Sequence, residues 1–479
     1  MELHFERGRI RAIVPTTDHA VVIRNETSSY EFPGATVLPG FVDNHLHLMG
    51  LGQRLMMPSL HAATSPSECV EILRRAHEQH SMQWLRSMGW NQELWSPASM
   101  PDSHWLDDAF PDVPVVASRV DGHAFWVNAE ASRRAGVPHR PVVVDTDMDP
   151  FWAAIPKPDA ATITTYLETA AAHLSAFGIT EIHDMDVAPH VVEVLRSLVE
   201  SGRFPIRVQS FVSAQHDEWE SAGLLPAAGE IQRTAGLKLF ADGALGSRGA
   251  ALLAPYTDEP STSGSLLKTS TDIAAAARKA IDAGWWCLAV HAIGDAAVRE
   301  VLDAYTIVRS WPDGQDLLLR IEHAQHMHAS DVSRCAELGV FACVQPSHCT
   351  SDAAMAERRL GHDRLADAYR WRSLLDAGVR VAAGSDAPIE SASVLAGLAD
   401  FVQRPWQQQE RLTMAEALEA YGRTAHASAD VDYRRGTIAL GFDADVVVLD
   451  RDPMTCPADE LTQIRVLATF MAGQCRFLA

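Results

Sequence analysis

The sequence predicts an α/β protein: a (β/α)8 TIM barrel with a large insertion after strand 1 and a small β-sandwich-like domain built from both termini. Three observations predict it. From Gly178 onward, short runs rich in Val, Ile or Leu alternate with stretches rich in Ala, Glu and Arg, the pattern of βα units on a parallel sheet. With Gly40–His47 near the start, the strand-like runs number eight. The two chain ends differ from the middle, because both carry alternating, turn-punctuated β patterns.

Taken in order, residues 1–36 and 434–479 form the composite β domain, as in Asp445-Val-Val-Val-Leu449 after the turn Leu440-Gly-Phe-Asp443. Residues 37–433 form the barrel. Its strand ends fall at Gly40–His47, Ile179–Asp184, Pro205–Val212, Gly236–Asp242, Trp286–His291, Leu318–His323, Val340–Pro346 and Val379–Asp386. Residues 48–177 are far longer than an ordinary βα connection and so form an inserted subdomain. It contains Trp84, Trp90, Trp95, Trp105, Trp126 and Trp152 and a strand-like run at Val113–Val120. Aromatics in such number are expected to fill a satellite core, with one or two left to wall a ligand pocket.

Composition removes several function classes. The 479 residues are 47% apolar and 21% charged, an ordinary globular balance. Forty Lys and Arg against 62 Asp and Glu leave a net charge of -22 with no dense basic tract, which argues against nucleic-acid binding. Seven cysteines without a CxxC spacing suit neither a disulfide framework nor a thiolate zinc site, so a reducing cytoplasm is expected. Met1–Arg11 lacks the apolar core of a signal peptide, and no run of about 18 apolar residues occurs, so no membrane partner is expected. The expected partner is a small-molecule substrate; a homo-oligomer stays open.

The sharpest local feature is His45-Leu-His47. Two histidines one residue apart at a strand end share a face, so both imidazoles can reach one cation. Other strand ends add Lys238 and Asp242, His291 and Asp295, His323, and Asp386, where barrel active sites are built. An imidazole and carboxylate set suits zinc or another borderline divalent metal better than magnesium or calcium. Burial of Lys238 would favour a neutral amine, able to capture carbon dioxide as a bridging carbamate. A plain lysine paired with Asp242 or touching substrate is the other reading.

In this order, Pro39-Gly-Phe-Val-Asp-Asn-His-Leu-His47, Lys238, His291, His323 and Gly384-Ser-Asp386 resemble the amidohydrolase superfamily of metal-dependent hydrolases. The finer pattern is similar to its amidohydrolase 3 branch of YtcJ-like proteins, which includes the N-substituted formamide deformylases. Gly89-Trp-Asn-Gln92, Arg119-Val-Asp-Gly-His-Ala-Phe-Trp-Val-Asn128, Gly178-Ile-Thr-Glu-Ile-His-Asp184, Leu237-Lys-Leu-Phe-Ala-Asp-Gly243, His291-Ala-Ile-Gly-Asp295 and Gly436–Leu449 carry that resemblance. Met1–Gly8 starts later than the family's leading β segment, and Asn91 stands where the branch more often shows Asp.

The resemblance implies one or two divalent ions, zinc first among them. His45, His47 and Asp386 would hold one, His291 and His323 a second, and a carboxylated Lys238 would bridge them. A metal-bound hydroxide would attack an amide-like C–N centre, an N-acyl or N-formyl amine. Asp386 would take the water proton and return it to the leaving amine. His123 or His183 beside the second cation would help hold the oxyanion. Substrate contacts are expected from Trp90, Asp121, His123, Arg248, His348 and Arg372, with Trp95, Phe125, Trp126 and Trp371 as apolar walls. Deamination of an aminated ring, or another carbon-heteroatom hydrolysis, is the alternative on the same site. A catalytically silent binding protein is the reading from another class.

Overall fold

Eight runs dominated by β-branched and apolar residues pair into one parallel sheet: β1 (Phe41–Leu46), β2 (Ile179–Val187), β3 (Arg207–Ser213), β4 (Gln232–Phe240), β5 (Cys287–Ala292), β6 (Leu318–His323), β7 (Phe341–Val344) and β8 (Arg380–Ala383). This computed structural model describes residues 1–16, 20–79, 83–120, 124–216 and 218–479. Each strand lies beside its neighbour in sequence, so the sheet order runs from β1 to β8. The ring closes just past the strand ends, where Asp386 N–H donates to the His45 carbonyl at 2.6 Å and His47 N–H to the Ala387 carbonyl at 2.8 Å. Gly384 makes that approach possible: a Cβ there would lie 2.4 Å from the His45 nitrogen.

Helices cover the outside of the sheet. Asp295–Arg309 buries Val298, Val301, Leu302, Tyr305 and Val308, the three-and-four spacing of one helical face. Its Tyr305 hydroxyl donates to the Arg320 carbonyl at 2.6 Å. Ser270–Asp282 begins with a capping box between Thr269 and Asp272. Burial of each Val- or Leu-sized side chain contributes about 1.5–3 kcal/mol.

Both chain ends build two four-stranded sheets. Arg9–Val14, Glu2–Glu6, Ala20–Arg24 and Ser29–Pro33 form one; Gln474–Leu478, Val466–Met471, Val446–Leu449 and Thr36–Pro39 form the other. Leu3, Phe5, Ile23 and Phe32 from the first meet Val37, Val446, Val448 and Phe470 from the second in a shared apolar core. At the barrel, charge takes over. Arg207 donates to Asp445 at 2.7 Å, and Arg435 donates to Glu181 at 2.7 Å and Asp443 at 3.0 Å, all with buried side chains. Each charge there has a partner, as burial of an ion requires.

Residues 52–166 form a separate compact unit inside the expected 48–177 insertion. It has its own sheet, Leu85–Trp90, Val115–Arg119, Ala124–Val127 and Val142–Val144. Trp90, Trp95 and Trp126 pack together with Leu73 and Leu106 on one side; Trp84, Phe125 and Phe151 pack on the other. Trp152 is largely exposed. No helix among the described residues is long and apolar enough to cross a membrane.

Candidate metal centre

The centre is assembled from the carboxyl ends of the barrel strands, and β1 begins it. Period two puts His45 and His47 on one side of the chain. Their rings lie 5.7 Å apart, and Asp386 Oδ1 sits 3.6 Å from His45 Nε2 and 3.2 Å from His47 Nε2. Asp386 comes from the turn after β8 and holds a left-handed backbone, φ 60°, a conformation that side chains other than glycine adopt at a cost and that clusters at functional sites.

At β6, strict alternation would send Glu322 and His323 to opposite faces. A left-handed φ of 74° at His323 breaks the alternation. Both side chains then face inward: Glu322 Oε2 accepts from His45 Nδ1 at 2.6 Å, and the His323 ring lies 4.8 Å from that of His45 and 4.5 Å from that of His291. His348, from the helix Pro346–Asp352 after β7, stacks on His323 at 5.9 Å with the planes 10° apart. Its Nε2 lies 3.6 Å from Asp386 Oδ2. Among the described residues, the three-donor groups of metal-ligand type are His45, His47 and Asp386, and His323, His348 and Asp386.

Each of three histidines has its Nδ1 occupied. His45 donates to Glu322, His47 to the Met185 carbonyl at 3.0 Å, and His323 to Gln345 Oε1 at 2.7 Å. That fixes the tautomer and leaves Nε2 for a cation. His45, His291 and His348 Nε2 and Lys238 Nζ are buried without a hydrogen-bond partner. Such orphaned polar atoms are costly unless something satisfies them, and a divalent cation among imidazoles and a carboxylate does so.

The electrostatics agree. Burial, with Lys238 adding to it, lowers His45 to about 4 and His291 to about 3, so both are neutral at pH 7, as ligands must be. Burial also pulls at His47, but the facing Asp386 outweighs it and raises that ring. Burial opposes ionisation of Asp386; its hydrogen bond to His47 and the nearby His45 and His348 hold it well below the usual carboxylate range. Lys238 is fully buried, and burial lowers its pKa. Its Nζ lies 4.6 Å from the Phe240 ring centre.

Several residues read from the sequence as functional have other duties. Asp242 accepts from the backbone N–H groups of Ala251, Ile293 and Gly294 at 2.8–3.0 Å, tying two loops together. His183, expected beside the second cation, is fully buried, and its Nδ1 accepts from Arg320 Nη1 at 2.7 Å and Asn44 Nδ2 at 3.1 Å. Trp90, expected as a substrate contact, is fully buried in the core of the inserted unit and donates to the Ala117 carbonyl at 2.8 Å. Arg248 is held by Asp258, and Arg372 by Glu416 and Asp376. Trp95, Phe125 and Trp126 are core residues of the inserted unit, and Trp371 is fully buried. Asp121 and His123 lie outside the described residues.

Arg320, Glu322, Gln345 and Asn44 were not singled out from the sequence. Arg320 is fully buried and donates to Glu322 Oε1 at 2.7 Å and Asn44 Oδ1 at 3.0 Å. The available signal was Arg320-Ile-Glu322, two charges at period two inside an otherwise apolar strand.

A closed parallel barrel with histidines and a carboxylate converging at its strand ends defines the class of metal-dependent barrel hydrolases. The model for the amidohydrolase family matches residues 33–477, and the chain belongs to that family. It is 31% identical to YtcJ of Bacillus subtilis (strain 168), covering 94% of this chain and 90% of that protein. It is 26% identical to the N-substituted formamide deformylase of Arthrobacter pascens, covering 98% and 93%. Among solved structures, an uncharacterized metal-dependent hydrolase from Pyrococcus furiosus superposes with a TM-score of 0.80 at 29% identity, with 90% of each chain covered.

Proposed function

We propose that this amidohydrolase-family enzyme hydrolyses an amide-like C–N bond in a small molecule, an N-acyl or N-formyl amine. The observation that carries the reading is Asp386, whose two oxygens face histidines of both donor groups. The similarity to an N-substituted formamide deformylase along 98% of the chain favours this bond over the alternatives.

His45, His47 and Asp386 would hold one divalent cation, zinc in our reading, and His291 and His323 a second, with a carboxylated Lys238 between them. Bound there, a divalent cation supplies Lewis acidity and makes water acidic enough to ionise near neutral pH. The protein supplies the rest. Asp386 Oδ2 accepts the proton as a water oxygen bonds to the acyl carbon. When the C–N bond breaks, the same oxygen returns that proton to the departing nitrogen, giving a carboxylic acid and an amine.

The experiment is turnover of N-formyl and N-acetyl amines against aminated heterocycles by wild type and Asp386→Asn. Amine release from the amides, with a loss of about 10²–10⁴-fold or more in the variant, is expected from removal of a general base. Release of ammonia from heterocycles alone would overturn the substrate reading, and wild-type rates in Asp386→Asn would overturn the assigned base.

A further inference from the structure

We propose that His348 is a metal ligand, joining His323 at the second cation position. This rests on the metal reading of the centre and on no choice of substrate. The ligand set implied by the resemblance stops at six residues, and the sequence reading offers His348 as a substrate contact. Its surroundings point elsewhere.

The first reason is direction. His348 Nε2 is buried, has no hydrogen-bond partner and faces Asp386 Oδ2 at 3.6 Å, while Asp386 Oδ1 faces His45 and His47. The carboxylate therefore lies between two histidine groups, and its Oδ2 stays on the side where a proton is to be taken. The second reason is companionship. His348 stacks on His323, whose Nδ1 is held by Gln345. Gln345 is itself oriented, because its Nε2 donates to the Cys343 carbonyl at 3.3 Å. One turn, Gln345-Pro-Ser-His348, thus supplies both the group that orients one imidazole and a second imidazole beside it.

The third reason is rigidity. Ligands must be held more firmly than residues that adapt to substrate. The helix Pro346–Asp352 is fastened along its length: Ser347 Oγ and Thr350 Oγ1 donate to Asp400 at 2.7 and 2.6 Å. At its end, Asp352 Oδ2 accepts from Gln325 Nε2 and Tyr369 Oη, both at 2.7 Å.

The test is cobalt(II) binding to wild type, His348→Gln and His348→Cys, each first checked for an unchanged melting profile without metal. Wild type is expected to bind two equivalents. In His348→Gln the second should weaken by more than about 100-fold, beyond what loss of a merely orienting neighbour costs. In His348→Cys a sulfur-to-cobalt charge-transfer band absent from wild type is expected, which only a direct ligand produces. Two equivalents bound within about 100-fold of wild type in His348→Gln, or no new band in loaded His348→Cys, overturns the proposal. A wild type that saturates at one equivalent also overturns it. A wild type that binds no divalent cation overturns the metal reading of the whole centre and this proposal with it.

Discussion

His45 Nδ1 donates to Glu322 Oε2 at 2.6 Å, with both side chains closed off from solvent. Glu322 is in turn gripped by Arg320 at 2.7 and 3.1 Å. A guanidinium, a carboxylate and an imidazole in series fix which His45 nitrogen faces Asp386. They also neutralise charges that the barrel interior could not hold singly.

Glu322→Gln should therefore act twice. Removing the carboxylate strands Arg320, and breaking a buried pair costs about 3–5 kcal/mol. The weakened hold on His45 should reduce cation affinity by about 10–100-fold. Denaturant melts without metal and competition against a chelator measure the two effects separately; an unchanged melt would show that Arg320 finds another partner.

Stability without metal should fall in mild acid, the lowered imidazoles outweighing Asp43, Asp184 and Asp242, which burial raises to about 7 and which act the other way. His45 and His183 are lowered to about 4, and His291 and His326 to about 3, in each case chiefly by burial. Between the ordinary value of 6.5 and these lowered values, the unfolded chain binds protons that the folded chain refuses, so stability is lost as pH falls through that window. Melting at pH 7, 6, 5 and 4 checks this. A midpoint that does not move over that range would contradict it.

Lys238→Ala should remove most activity if Lys238 carries a carbamate. Burial lowers its pKa, and a neutral amine is the form that captures carbon dioxide. High formate or acetate should then restore part of the activity by occupying the vacated space. A carbamate resonance in protein prepared with 13C-bicarbonate would be the direct sign, and failure of both readouts would leave Lys238 a plain amine.

At the junction with the terminal β domain, Glu181→Ala should act first on stability. Glu181 accepts from Arg435 at 2.7 Å and Gln209 at 3.0 Å, buried at the junction with the terminal β domain. Loss of that partner should cost about 3–5 kcal/mol. Comparing denaturant midpoints with the rate constant of the remaining folded enzyme separates stability from catalysis.

Much of the centre was legible because its candidate ligands lie in short motifs whose chemistry is local. His45 and His47 share a face by strand geometry alone, and Asp386 is marked by its place after the last strand. What supports them was not legible. Glu322 reads, with Arg320, as one of two charges in an apolar run until β1 and β6 are brought into one ring, and Gln345 reads as a loop residue until His323 turns toward it. The aromatics of the insertion misled for a related reason: nothing local distinguishes a tryptophan that lines a pocket from one packed, like Trp90, against Trp95 and Trp126.

By itself the sequence determined the eight-stranded barrel, the insertion, the composite β domain and the order of His45, His47, Lys238, His291, His323 and Asp386 along the chain. Hydrophobic periodicity and strand ends are properties of neighbouring residues, so they can be read without coordinates. Only the tertiary structure decided which nitrogen His45, His47 and His323 present, and that Asp386 stands between one group with His45 and His47 and another with His323 and His348. Those outcomes depend on closure between β1 and the turn after β8 and on two left-handed residues, His323 and Asp386, that override the alternation of side chains. Contacts between residues hundreds of positions apart exist only once the ring is shut.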